Sequence, residues 1–107
     1  MIRIVYRRKY HRVTVDGHAQ SGEAGHDLVC AAVSALAYTL AASVINMEAA
    51  GQVRDAVTRF ENGHAELACR APHRLQATVA LVFDTVCVGF ELLAAKYPQN
   101  VAYEILD

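Results

Sequence analysis

The sequence predicts an α+β fold, a two-layer sandwich in which a mostly antiparallel sheet carries two long helices in the order ββαββαβ. Three observations predict it. Apolar residues alternate with others over Ile2–Tyr6, Val13–Asp16 and Val101–Ile105. Two apolar stretches, beginning at Val29 and Leu75, instead repeat at steps of three and four. Two turn signals, Arg8-Lys9-Tyr10-His11 and Glu61-Asn62-Gly63, each stand between strand-like runs. A chain of 107 residues suits one domain with one core, residues 1–107.

In chain order, Ile2, Ile4 and Tyr6 mark one face of a first strand, and Val13 and Val15 one face of a second. The basic tip between them makes the pair a hairpin, and Asp16-Gly17 closes it. Residues 18–26 read as a loop broken by Gly22 and Gly25. Asp27 is a good N-cap for a helix that runs to about Ala49–Gly51, with Val29, Val33, Leu36, Leu40, Val44 and Met47 on its apolar face. Val53–Phe60 and His64–Arg70 read as a second hairpin around Asn62-Gly63, with Ala65, Leu67 and Cys69 on one side. Pro72 suits a first helical turn, and a second helix spans His73–Lys96 with Leu75, Val79, Val82, Val86, Phe90 and Leu93 buried. Tyr97-Pro98 ends it before a last short strand.

Composition excludes several classes. With 54% hydrophobic residues and few Gly or Pro, the chain is globular and not disordered. A formal net charge of −1 gives no general attraction to nucleic acid or anionic membrane. The cluster Arg7-Arg8-Lys9 reads as a solvated turn. Three cysteines without a CxxC spacing, and charge within Ile2–Val5 where a signal peptide would be apolar, predict a cytoplasmic protein with reduced thiols. Leu28–Met47 is uncharged over about the ~20 residues of a bilayer span. Its alanines and its Ser34, Thr39, Ser43 and Asn46 favour a buried helix over a membrane segment.

The chemistry centres on the loop and the helix start. With Asp27 as N-cap, Cys30 falls in the first turn, where unpaired backbone N–H groups and the helix dipole favour an anion. A thiol so placed can act as a nucleophile near neutral pH. His18, at the end of the strand feeding the loop, is close enough in sequence to serve as its base. Asp27 supports the helix start and can also orient His18, though its charge opposes a thiolate unless it contacts the imidazole. On the residues alone, a cysteine on an apolar helix is more often inert, and catalysis is the minority reading.

The run Gly17-His18-Ala19, then Gly22-Glu23 and Gly25-His26-Asp27-Leu28-Val29-Cys30-Ala31-Ala32-Val33-Ser34-Ala35-Leu36, resembles the signature of the ribosomal-processing cysteine protease family, Prp. Asn62-Gly63-His64 and Tyr97-Pro98-Gln99-Asn100-Val101 extend the resemblance along the chain. It implies a small cytoplasmic homodimer of α+β fold, a hydrolase of the thiol protease class. Its substrate would be the precursor of ribosomal protein L twenty-seven, whose N-terminal extension it removes during ribosome biogenesis. Carried onto this sequence, the nucleophile falls on Cys30 and the general base on His18. Asp27, Ser34 and Gly17 match supporting positions, and Gly22 and Gly25 match a loop that moves as substrate enters. No cofactor is implied. The arginine-rich first hairpin and alanine-rich first helix are less typical of the family.

Two other readings are weighed. A metal could use His18, His26 and Cys30, or His64, Cys69 and His73, but neither set carries a CxxC or HExxH pattern, and no metal is expected. A non-catalytic ribosome- or RNA-associated binding module would use the basic tip with Tyr6 and Tyr10. Cys69 and Cys87 read as buried structural residues, and His11 and His73 as solvated.

Overall fold

The computed structural model describes residues 1–17 and 24–107 and, within the first helix, the side chains from Leu28 onward. Strands β1 (Ile2–Arg7) and β2 (Arg12–Asp16) precede helix α1 (Ala24–Ala49). Strands β3 (Arg54–Glu61) and β4 (His64–Arg70), helix α2 (Gln76–Lys96) and strand β5 (Val101–Leu106) complete the chain. The predicted ββαββαβ order and mixed α+β class are what the structure has. The sheet runs β3-β4-β2-β1-β5. Its pairings are antiparallel except β1 with β5, which are parallel.

The period of two decides which face is buried. Ile2, Ile4, Tyr6, Val13, Val15, Ala65, Leu67 and Cys69 all lie in the core under the helices. The alternate positions, among them Arg3, Arg7, Arg12, Asp16, His64 and Glu66, form the other face. Arg12 and Arg59 both pair with Glu66 there. From above, α1 contributes Val29, Val33, Ala37, Leu40, Ala41 and Val44. Its close packing on α2 leaves no room at Gly89, where a Cβ would stand 2.8 Å from the Leu36 methyls.

Gly51 stops α1 in the left-handed region at φ +73°. Its N–H bonds to the carbonyl of Glu48 and that of Gln52 to Met47, which satisfies two of the last carbonyls of the helix. By length and composition alone, Leu28–Ala49 and His73–Lys96 are apolar enough to cross a membrane. In the fold each turns a face into the shared core.

Three expectations need correction. The helix starts at Ala24, not after Asp27, so Gly25 is helical rather than a loop breaker and Asp27 stands in the first turn rather than at the cap. An acidic residue complements the positive helix end from either place, which is why its presence does not fix the boundary. Second, the buried face of α2 is turned: Val79, Cys87 and Phe90 are buried as expected, but Phe83 joins them, while Leu75, Val82, Val86 and Leu93 are only half-buried. Third, His11 is not solvated but 8% exposed, in a left-handed conformation against the Phe83 ring. The basic tip is an exposed turn, as expected, a 3-10 turn over Arg8–Tyr10 that is also tied to α2. Arg8 grips the Asp84 carboxylate with two nitrogens, and the Tyr6 hydroxyl donates to the same group at 2.7 Å.

Candidate active site

The site lies where α1 crosses the end of β2 and the β3–β4 turn. Residues 30, 34 and 38 are one turn apart on α1 and share a face. Val29 and Val33 are pulled into the core. That orientation sets Cys30, half-buried, and Ser34 into the wall of a cavity of about 330 Å³. Gly17, Phe60, Asn62 and Gly63 help to form the opposite wall.

The corner of the sheet is held rigidly. Gly17 donates its N–H to the carbonyl of Gly63 at 2.8 Å, joining the β2 exit to the hairpin turn. It sits at φ +83°, and a Cβ there would lie 2.4 Å from the Met1 carbonyl oxygen. Only glycine meets both conditions. Gly17 thus fixes the point from which the chain continues to His18. His18 and Gly22 lie outside the described residues, as do the side chains of Asp27 and His26.

The three thiols differ by environment. Cys30 opens to the cavity. Cys69 lies in the core, where burial and then the charge of Glu48 push its pKa up to about 11. Cys87 is raised to about 12, mainly by burial, although its Tyr103 contact acts the other way. A thiol kept protonated and enclosed is a poor nucleophile. The sequence reading of Cys69 and Cys87 as structural fits their burial.

The earlier start of α1 changes the setting of Cys30. It stands in the second turn, beyond the unpaired N–H groups of the helix start, so its own N–H belongs to the helical ladder.

Sequence reading did not bring four further residues to this corner. Tyr38 and Phe60 face one another over the cavity with ring centroids 4.8 Å apart, both substantially exposed. The spacing Cys30, Ser34, Tyr38 carried a signal for the first of them. Asp16 and His64 pair across β2 and β4 at the same corner. Among the described residues no group of three His, Cys, Asp or Glu side chains could hold a metal, so His64, Cys69 and His73 do not assemble.

Solved structures share the whole fold. A Streptococcus mutans protein, SMU.848, superposes with a TM-score of 0.69 at 28% identity, covering 98% of this chain and 91% of that one. An essential ribosomal processing protease Prp of Staphylococcus aureus, solved with a substrate peptide, gives a TM-score of 0.71 at 23% identity over 97% and 96% of the two chains. In sequence, a Staphylococcus aureus protein named ribosomal processing cysteine protease Prp is 28% identical over 89 residues, 83% of this chain and 80% of that one. The family model for cysteine protease Prp matches residues 1–102, which takes in the Cys30 cavity and all the elements around it: the chain belongs to the cysteine protease Prp family.

Proposed function

We propose that this enzyme is a cytoplasmic endopeptidase, acting as a homodimer, that removes the N-terminal extension of the ribosomal protein L twenty-seven precursor. Cys30 is the nucleophile and His18 the general base. One observation carries the choice of nucleophile: of three cysteines, Cys30 alone lines the cavity, whereas Cys69 and Cys87 are buried with raised pKa values. The choice of His18 rests on family resemblance and on its place directly after the fixed Gly17. A ribosomal-processing role is supported by the names of the relatives, and the L twenty-seven precursor rests on the family resemblance alone.

The chemistry follows from those two groups. His18 takes the thiol proton and the Cys30 sulfur attacks the scissile carbonyl carbon, forming a tetrahedral oxyanion. Collapse expels the amine, which receives its proton from His18 and leaves an S-acyl enzyme. Water, deprotonated by His18, then attacks the thioester and releases the carboxylate and the thiol. Cys30's own N–H is committed to the helix, so the oxyanion needs other donors. The Ser34 hydroxyl, one turn along the same wall, is a candidate donor. Asp27 supports the helix start or orients His18, and Gly22 and Gly25 belong to the segment between base and nucleophile.

The test is cleavage of a synthetic peptide spanning the precursor junction. The wild-type chain should release both fragments, and Cys30→Ala should fold with no turnover. A folded wild-type sample that leaves the peptide intact would overturn the substrate assignment, and full activity in Cys30→Ala would overturn the nucleophile.

A further inference from the structure

Strand β3 lies at one end of the sheet, and among the described residues it pairs on one side only, with β4. Which of its backbone groups face outward follows from the ladder. Cys69 donates its N–H to His11, on the β2 side of β4. Along a strand, N–H groups alternate in direction, so Ala65 and Leu67 also turn toward β2, and His64, Glu66 and Ala68 toward β3. Their partners are Glu61, Arg59 and Val57. Those three exchange bonds with β4, and the intervening Thr58 and Phe60 point both N–H and C=O away from the sheet.

The next residue of that outward set is already occupied. Ala56 donates its N–H to the Glu48 carboxylate at 3.1 Å, at the β-bulge between Arg54 and Val57. Glu48 therefore closes one end of the edge. The open portion is short, Thr58 to Phe60, and it runs directly into the Cys30 cavity, which Phe60 and Glu61 help to line. Long exposed edges invite nonspecific pairing; a two-residue edge leading to a nucleophile does not.

We infer that the Thr58–Phe60 edge of β3 binds the peptide substrate as an added strand and delivers its scissile bond to Cys30. This rests on the peptidase reading above and names how the peptide is held. Thr58 and Phe60 offer four backbone groups to an extended segment. A peptide so paired alternates its side chains, one set over Tyr38 and Phe60 and the other over Arg59 and Glu61. Recognition would be largely of main chain, with the aromatic pair touching every second residue near the junction.

The probe is the precursor-junction peptide carrying a single backbone N-methyl group, moved one position at a time. Two positions separated by one residue should each raise KM about fivefold or more, with the position between them within about twofold and kcat unchanged, as expected for loss of single hydrogen bonds. A second measurement needs no turnover. In Cys30→Ala with excess unmodified peptide, amide hydrogen exchange should slow at Thr58 and Phe60. Cleavage without the alternation in KM overturns the edge while leaving the peptidase reading intact. An unmodified peptide that is never cleaved counts against the proposed substrate, and unchanged exchange at both amides then overturns the edge as well. Protection that needs no peptide and grows with protein concentration would assign the edge to a second copy, also against the inference.

Discussion

His64 Nδ1 stands 2.5 Å from Asp16 Oδ1, across the β2–β4 ladder at the corner that also holds Gly17. The pair has the form of a base and its orienting carboxylate, and it lies beside the Cys30 cavity. Strand parity decides its role. Ala65 enters the core beneath the helices, so His64, its neighbour in β4 at the rim of the cavity, directs its side chain to the opposite face of the sheet, where it meets Asp16.

The expected outcome separates the two histidines. His64→Ala should keep kcat/KM within about threefold and cost under ~1 kcal/mol, the range of partly exposed ion pairs. His18→Ala should lose on the order of 10²-fold or more in kcat, the scale of general acid–base catalysis. Steady-state cleavage of the precursor peptide by both variants, with thermal denaturation as a folding control, checks this. The reverse pattern would make His64 the base.

Thiol reactivity offers a check independent of substrate. At pH 8, thiols held near 11 and 12 expose only about one thiolate in a thousand and one in ten thousand, and both are enclosed. Brief treatment of the native chain with iodoacetamide should give a single adduct, at Cys30. Peptide mapping reads the site directly. All three cysteines should react once the chain is unfolded in denaturant.

Gly17→Ala should be among the most damaging small changes. A left-handed φ costs an L-residue roughly 1–2 kcal/mol, and the added methyl would meet the Met1 carbonyl oxygen. The β1 start and β2 exit must then separate, which displaces the chain leading to His18. Urea denaturation should show the stability loss. At a temperature where the variant remains folded, kcat should fall as well.

These residues also mark how far the sequence was legible. Strand faces were readable because one side of the sheet is buried and a period of two leaves a plain trace, as in Ile2, Ile4 and Tyr6. The hairpin at Asn62-Gly63 was readable from its turn chemistry. The start of α1 was not, because an acid at Asp27 suits the first turn as well as the cap. Nor was the phase of α2, since most positions between Val79 and Phe90 are apolar and only Asp84 and Thr85 interrupt them. Cys30 stood out by motif and Cys69 and Cys87 by their apolar settings, while the raised pKa values of the latter two follow from the packing around them. The Asp16–His64 pair and the free edge at Thr58 depend on strand order, a non-local property that no single segment encodes.

The Arg8–Asp84–Tyr6 cluster and the buried His11 together predict two steps of acid destabilisation. Burial, and then the nearby charge of Arg8, hold the His11 pKa below its ordinary 6.5, with Asp84 opposing. His11 is therefore neutral in the fold and takes up a proton more readily when unfolded. Stability should be full above about pH 6.5 and decline below it, until the lowered folded value is passed. The Asp84 carboxyl lies below its ordinary 3.8, chiefly through the Arg8 hydrogen bonds and also through Tyr6, against the opposing effect of burial. Its contribution is full above that ordinary value and is lost as pH falls through the lowered one. A series of urea titrations from pH 8 to pH 3 should resolve both declines. His11→Asn, whose side chain tolerates the φ of +46°, should flatten the upper decline and spare the lower. Asp84→Asn should be less stable than wild type at pH 7 and lose the lower decline. A wild-type stability curve that stays level from pH 8 to pH 5 would contradict the buried placement of His11, whose Nδ1 has no partner among the described residues.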